Sequence, residues 1–227
     1  MIKPMNVLIV FAHPEPKSFN GALFDTAAAA LAAGGHTVVT SDLYRMDFDP
    51  RSSRANFREQ KDPDFFKPQL EERHATETHS FAPALEAEIR KVEAADLVIF
   101  QFPLWWFGLP AILKGWVDRV FAMGRAYGPG RIYENGPFRG KRAMLSLTTG
   151  GSRPSYVTGG EEGDILGILR PIHRGIFQFT GFSVLAPAIY YGPARAEESQ
   201  RRQWLDEWAE RLRSIELEQP IEVGPYA

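Results

Sequence analysis

The fold is decided by the segment Ala94-Ala95-Asp96-Leu97-Val98-Ile99-Phe100-Gln101-Phe102-Pro103-Leu104-Trp105-Trp106-Phe107-Gly108-Leu109-Pro110. A short, almost wholly apolar run is followed there by a loop crowded with aromatic side chains. Such a run, with little polar alternation, is typical of a parallel strand covered on both faces. We therefore expect the loop to leave the carboxyl end of a buried strand, where open α/β sheets bind their ligands.

Similar apolar runs recur along the chain and alternate with helical patterns. The expected strands are residues 7–12, 37–41, 97–102, 143–148 and 184–191. The expected helices are residues 20–33, 85–95, 111–123, 165–177 and 197–215, the fourth kinked or divided at Pro171. This alternation predicts an α/β fold, a doubly wound five-stranded parallel sheet with helices on both faces.

Two segments depart from the alternation, and neither indicates a domain boundary. Residues 43–83 are charged and poorly periodic, so we expect a long irregular arm within a single domain spanning 1–227. Residues 197–227 form a C-terminal helix and tail with Trp204 and Trp208 on one side of the helix. We expect this stripe and the aromatic loop to be covered in a dimer.

Composition excludes several classes of function. The 227 residues include no cysteine, so disulfides, thiolate nucleophiles and cysteine-bound metals are impossible. A net charge of −2 gives no electrostatic footprint for nucleic acid. No apolar run has the length of a transmembrane helix, and the five histidines have no recognised metal-ligand spacing. We expect a cytoplasmic protein without a metal, and acidic pairs such as Glu71-Glu72 on solvated faces.

Three loops follow three of the expected strands. The first, His13-Pro14-Glu15-Pro16-Lys17-Ser18-Phe19-Asn20, opens a helix that Ser18 or Asn20 can cap, and a helix N-terminus suits a phosphate. The second, residues 103–110, is the aromatic loop, and the third, residues 148–152, is the glycine loop. A phosphate site, an aromatic wall and an edge rich in N–H donors together favour a flavin.

These residues resemble the NAD(P)H:quinone reductases of the DT-diaphorase type, within the flavodoxin-like superfamily. The resemblance rests on His13 to Asn20, Ser41-Asp42-Leu43-Tyr44, residues 94–104, Trp106-Phe107-Gly108, residues 110–116, Gly136-Pro137-Phe138, residues 148–152, Gly181-Phe182 and Val184-Leu185. It implies a homodimer with active sites at the interface. It also implies a ping-pong reaction in which NAD(P)H reduces the flavin and a quinone-like acceptor then enters the same pocket.

The resemblance also implies site roles by position. The residues implied to hold the flavin are His13, Ser18, Phe19, Asn20, Pro103, Leu104, Trp105, Trp106, Phe107, Thr148, Thr149, Gly150, Gly151, Tyr156 and Arg201. The residues implied to shape the acceptor pocket are Trp106, Phe107, Tyr127 and Phe179. Tyr156 matches the family's catalytic tyrosine, whereas Glu162 stands in place of its relay histidine and Pro129 replaces a second pocket tyrosine.

Chain length and the terminal region favour FAD over FMN as the cofactor. Two other functions remain open from the sequence. One is reduction of azo or nitro compounds, and the other is a flavin-binding regulatory subunit of a membrane transport system. The length of the arm and of the terminal segment favours the quinone reductase.

Overall fold

The computed structural model describes residues 4–224, so three residues at each end of the expected 1–227 span and of its 197–227 tail lie outside the described residues. Within this part of the chain, six strands form one sheet. They are β1 Asn6–Phe11, β2 Thr37–Asp42, β3 Leu97–Pro103, β4 Arg142–Thr149, β5 Ser183–Val184 and β6 Ala188–Tyr191.

The strand order is β2-β1-β3-β4-β5, and β6 also pairs with β4. Every pairing is parallel, as predicted from the apolar runs. The chain leaves β1 toward β2 on one side and returns through β3 on the other. The point where the order reverses therefore lies between β1 and β3, and the loops after these strands diverge there to open a crevice.

The last predicted strand, residues 184–191, is divided in two. β5 pairs with the start of β4 through Ser183 and Val184, and β6 pairs with its end. Pro187 lies in the gap and has no N–H to donate to the ladder, which explains the interruption. The sheet therefore has five positions but six strands.

Six α-helices lie between or after the strands in the described residues. They are α1 Phe19–Ala33, α2 Pro68–Thr78, α3 Pro83–Ala94, α4 Ala111–Val120, α5 Ile165–Ile172 and α6 Glu198–Leu212. The predicted helix 165–177 is divided near Pro171, as expected, because α5 ends and a π-helical segment, His173–Gln178, follows. A proline removes a helical hydrogen bond, and the wider π turn accommodates its loss.

The two faces of the sheet carry two separate cores. Leu8 and Val10 of β1 face α3, α4 and α5, whereas Val7 and Ile9 face α1 and α6. This alternation follows from the two-residue period of a strand. Helices on both faces confirm the predicted doubly wound architecture.

The 43–83 arm is less irregular than expected, because it contains α2 and a short 3₁₀ turn, Arg54–Asn56. Glu71 and Glu72 of α2 are buried, with 1% and 7% of their surfaces exposed, so their predicted solvated location is wrong. Glu71 accepts hydrogen bonds from the backbone N–H groups of Lys61 and Asp62 at 2.7 and 3.0 Å. The carboxylate thus closes the irregular part of the arm onto α2.

The tryptophan stripe of α6 is covered by this chain itself. Trp208 is fully buried against α1, and its indole N–H donates to the Leu23 carbonyl. Trp204 packs against Phe19 and Tyr190, with ring centroids 5.8 and 6.0 Å away. The expectation that this stripe needs a partner subunit is therefore wrong. Of the two apolar surfaces predicted to be covered in a dimer, the aromatic loop alone is still exposed.

Candidate active site

The carboxyl ends of β1, β3, β4 and β6 bring the three loops to one cavity of about 480 Å³. Its lining residues are His13, Ser18, Phe19, Asn20, Pro103, Leu104, Trp105, Thr148, Thr149, Gly150, Gly192, Pro193, Ala194 and Arg201. Ten of the residues that sequence reasoning assigned to a flavin nucleotide, together with Arg201, therefore surround one space. The parallel register explains this, since all these strands end at the same edge of the sheet.

The cavity receives the N-terminus of α1. The Ser18 hydroxyl accepts a hydrogen bond from the Gly21 N–H at 3.1 Å, which is the predicted capping role. A Cβ at Gly21 would overlap the Pro16 carbonyl oxygen, so only glycine lets the loop close so tightly on the helix. No acidic residue occupies the first turn of α1. The positive end of the helix is therefore open to an anion.

A buried chain of amides fixes the floor of the cavity. The Gln101 side-chain amide donates to Asn20 at 2.9 Å, and the Asn20 amide donates to the Thr148 hydroxyl at 2.8 Å. These hydrogen bonds tie β3, α1 and β4 together. The side-chain amide oxygen of Gln101, also buried, has no hydrogen-bond partner within the described part of the chain.

The lining of the cavity includes the Arg201 guanidinium and no aspartate or glutamate, so the charge it carries is positive. His13 also lines the cavity. The Arg201 guanidinium donates to the carbonyls of Ala196 and Pro193, which hold it at the start of α6. A helix N-terminus with an arginine, a histidine and a serine hydroxyl is a donor set suited to phosphate oxygens.

The aromatic loop forms the opposite wall. Pro103, Leu104 and Trp105 line the cavity, and the Trp105 ring lies 6.0 Å from the His13 ring. Trp106 and Phe107 have left-handed backbone conformations, with φ of 50° and 58°, and Trp106 is 97% exposed. Two successive non-glycine residues in this region are strained, a feature concentrated at ligand sites. Their exposed rings provide apolar surface beside the cavity.

The glycine loop offers backbone groups without side chains. A Cβ at Gly150 would meet no atom within 4 Å, so this position borders open space. The Arg195 guanidinium donates to the Gly150 carbonyl and anchors the loop from outside. The cavity thus joins an anion-binding end, an apolar wall and a bare backbone edge, an arrangement that fits the phosphate and the flat ring of a flavin.

Tyr156 and Glu162 lie beside Gly151, next to the cavity. A Cβ at Gly151 would come within 2.9 Å of the Tyr156 ring and 3.7 Å of a Glu162 carboxylate oxygen. Burial raises the pKa of the Tyr156 phenol, the Glu162 charge raises it further, and a backbone hydrogen bond from Gly151 opposes the shift. The phenol is therefore neutral near pH 7 and able to donate a hydrogen bond.

The residues predicted for the acceptor pocket fall into two groups. Trp106 and Phe107 belong to the aromatic loop, whereas Tyr127 and Phe179 form a second cluster with Tyr133, at centroid distances of 5.8 and 5.5 Å. Neither Tyr127 nor Phe179 lines the cavity. This chain alone does not bring the two groups together, so their joint role stays a prediction. Pro129 is exposed close to Tyr127.

Sequence reasoning missed Gln101 and the segment 192–195. The signal for Gln101 was available, since it is the single polar residue in an otherwise apolar strand. Gly192 and Pro193 follow β6 at the same sheet edge. Sequence reasoning predicted the strand 184–191 but did not consider the loop after it as part of the site. Arg195 carried no local signal, because its contact with Gly150 spans distant parts of the chain.

Two further observations concern the chain between residues 4 and 224. It contains no group of three or more histidine, aspartate or glutamate side chains placed to hold a metal ion. None of its helices combines the length and apolar character that crossing a bilayer requires.

Comparison with known proteins places this site in a family. A sequence model of the flavodoxin-like fold matches residues 5–212. Ribosyldihydronicotinamide dehydrogenase [quinone] of Mus musculus is 46% identical, over 96% of this chain and 95% of its own length. NAD(P)H dehydrogenase [quinone] 1 of Rattus norvegicus is also 46% identical, over 96% of this chain and 80% of its own.

A solved structure agrees with these relatives. A Klebsiella pneumoniae protein proposed to be a quinone reductase is 40% identical and superposes with a TM-score of 0.91, covering 96% of this chain and 87% of its own. The crevice between β1 and β3, the sheet order and the sequence identity over nearly the whole chain lead to one conclusion. The chain belongs to the quinone dehydrogenase family of the flavodoxin-like fold.

Proposed function

We propose that this protein is an oxidoreductase that uses NAD(P)H to reduce quinones by two electrons. The observation that carries the proposal is the single cavity that joins a phosphate-binding end to an aromatic wall. It occurs in a chain 46% identical to curated quinone dehydrogenases over 96% of its length. A flavin held there would accept a hydride from NAD(P)H and pass two electrons to the acceptor, in ping-pong order.

The roles of the lining residues follow from their chemistry. Ser18, Phe19 and Asn20 place backbone and side-chain donors at the start of α1. Arg201 adds a positive charge for the phosphates, and His13 adds an imidazole ring. Pro103, Leu104 and Trp105 cover the ring, and Thr148, Thr149, Gly150 and Gly151 present donors along its edge. We infer that the cofactor is FAD, because the chain length and the terminal region favour it, and because His13, Arg201 and the start of α1 all line the cavity and can together contact a diphosphate.

Tyr156 is the residue we assign to proton handling at the ring edge. Its neutral phenol can donate a hydrogen bond to an oxygen that gains negative charge on reduction. Glu162 lies on the same side of Gly151 as the Tyr156 ring, and its charge opposes such an anion if it is ionised. We propose that Glu162 exchanges protons with solvent in place of the family's histidine.

The acceptor pocket requires a second subunit in this proposal. Trp106 is 97% exposed beside the cavity, while Tyr127 and Phe179 form a cluster that does not line it. In a homodimer, Tyr127 and Phe179 of the partner subunit would close the pocket over Trp106 and Phe107. We also place the protein in the cytoplasm, where NAD(P)H is available to it.

The first experiment is the visible spectrum of the purified protein. We expect a flavin spectrum that bleaches when NADPH is added without oxygen and returns when menadione follows. HPLC of the released cofactor would identify FAD, and recovery of FMN would contradict that part. A chain that contains no flavin, and takes up neither FAD nor FMN, would refute the proposed function.

A matched pair of arginine variants tests the phosphate site. Arg201→Gln removes a lining cation and should weaken flavin binding about tenfold or more, the usual cost of a lost charged hydrogen bond. Arg202→Gln is the control, because Arg202 is exposed and pairs with Glu198. Equal flavin affinities in the two variants would contradict the assignment of Arg201.

Turnover assays distinguish the proposed function from the two alternative functions that the sequence leaves open. A regulatory subunit would bind flavin without rapid NAD(P)H oxidation in the presence of a quinone, and the curated relatives, which are dehydrogenases by name, do not favour it. An azo or nitro reductase would turn over those compounds faster than menadione under the same conditions.

A further inference from the structure

Helix α2 holds the turn that carries Tyr127 through three side chains. The Gln69 amide donates to the Tyr127 hydroxyl at 3.2 Å. The Glu72 carboxylate accepts the backbone N–H of Met123 at 2.7 Å. The Thr76 hydroxyl donates to the Glu72 carbonyl at 2.9 Å within α2 and also approaches the Met123 carbonyl at 3.3 Å. Gln69, Glu72 and Thr76, which we call the α2 clamp, therefore fix both ends of the 123–127 turn.

The turn is shaped to receive the clamp. Gly124 has a φ of 92°, and its N–H donates to the Tyr127 carbonyl at 2.7 Å, which closes the turn. A Cβ at Gly124 would stand 3.0 Å from the Thr76 hydroxyl oxygen, tighter than side chains normally pack. Glycine thus provides both the left-handed conformation and the close approach to α2.

The helix that carries the α2 clamp is itself anchored to the arm. Glu71, the residue beside Glu72, accepts the N–H groups of Lys61 and Asp62, which anchors the first turn of α2 to the arm. Placing a carboxylate at Glu72 is costly because the side chain is almost wholly buried. The hydrogen bond from the backbone N–H of Met123 offsets part of this cost, because hydrogen bonds to a carboxylate are strong.

We propose that the α2 clamp consists of positioning residues that hold Tyr127 and thereby set which quinones the pocket accepts. The inference rests on the proposed function, in which Tyr127 lies over the acceptor. The Tyr127 ring packs against Phe179, and Gln69 holds its hydroxyl, so the phenol has one orientation. Releasing it would widen the pocket and admit bulkier acceptors.

A double-mutant cycle tests whether Gln69 acts through the Tyr127 hydroxyl. Gln69→Leu, Tyr127→Phe and the double variant are compared by the ratio of kcat/KM for menadione to that for a quinone with an isoprenoid chain. We expect each single variant to lower the ratio about threefold, which matches the loss of one partly exposed hydrogen bond. The double variant should change it no further, because the two groups share one bond.

Variants of Glu72 test the backbone contact. Glu72→Ala removes the acceptor for the Met123 N–H and should lower the ratio about tenfold, since this bond is buried. Glu72→Gln keeps an acceptor oxygen and should stay close to the wild type. Glu77→Gln is the control, because Glu77 lies on α2 but is mostly exposed and pairs with Arg73.

A second measurement does not depend on turnover. In protein labelled with 3-fluorotyrosine, the ¹⁹F resonance of Tyr127, assigned with Tyr127→Phe, should shift in Gln69→Leu and stay unchanged in Glu77→Gln. An unchanged Tyr127 resonance would overturn the clamp. A shifted resonance with an unchanged acceptor ratio, or additive effects in the cycle, would overturn its role in specificity. A wild type that reduces no quinone would refute the proposed function, and with it the specificity role, whatever the resonance does.

Discussion

At the scale of the residue, burial decides the chemistry of the acidic side chains. The pKa of Glu72 is raised to about 7, mainly because the side chain is buried. The backbone hydrogen bond from Met123 opposes this rise, and the charge of Asp118 adds to it. Glu71, its neighbour, has two backbone donors and a different environment. Two adjacent glutamates in one helix thus hold different parts of the chain.

The raised pKa of Glu72 makes stability depend on pH. Because the folded state holds this proton more tightly than the unfolded chain, where the pKa is near 4.5, stability falls as the pH rises from about 4.5 to about 7. The full difference corresponds to about 3 kcal/mol. Glu72→Gln cannot ionise, so its free energy of unfolding should exceed that of the wild type increasingly across this interval.

Urea unfolding of both proteins at pH 5, 6, 7 and 8 measures the effect. Glu77→Gln provides the comparison, since Glu77 lies on the same helix but its side chain is 66% exposed. Curves for Glu72→Gln and the wild type that run parallel with pH would contradict a raised pKa at Glu72.

At the scale of the element, helix α4 and the arm are fitted to each other at Gly115. A Cβ at this position would overlap the Pro50 carbonyl oxygen and lie 2.6 Å from the Pro50 Cα, both backbone atoms. Arg119, one turn later, donates to the Asp49 carbonyl and to Asn56, and its guanidinium lies 4.9 Å from the Phe48 ring centroid. The arm is thereby held against α4.

We expect Gly115→Ala to lower the free energy of unfolding by about 1–3 kcal/mol, the usual cost of overpacking. Alanine favours a helix by up to about 1 kcal/mol, so destabilisation would identify the contact with the arm as its cause. Gly167→Ala in α5 is the control, because its nearest neighbour is the movable Asp164 carboxylate at 3.3 Å. A stabilised Gly115→Ala variant would disprove the close fit.

At the scale of the whole molecule, the site residues lie at one edge of the sheet, and the same edge carries exposed apolar side chains. Trp105, Trp106 and Phe107 are 41%, 97% and 50% exposed, on a loop with a strained backbone. Contiguous exposed aromatic surface of this kind marks a binding or subunit interface. The proposed homodimer buries it beside the cavity.

Light scattering after gel filtration tests the assembly. At micromolar concentration we expect a particle of twice the chain mass of 25.5 kDa. Trp106→Asp should shift it toward the monomer, because a charge would have to be buried in the interface. Leu217→Asp, a change at another exposed apolar residue, should remain dimeric. A monomeric wild type would contradict the proposed pocket.

Local patterns in the sequence determined much of this protein. The apolar runs, the Ser18 cap and the three loops predict the parallel sheet and the place of the site, because strand and helix periods and helix capping depend on neighbours in sequence. The family resemblance added the residue roles, which remain predictions.

Only the tertiary structure decided the contacts between distant segments. It buried Glu71 and Glu72, covered Trp204 with Phe19 and Tyr190, and joined Gln101 to Asn20 and Thr148. It also separated Tyr127 and Phe179 from the cavity. Whether a polar or aromatic side chain is solvated depends on what packs over it, and those partners lie far away in the sequence, where no local period records them.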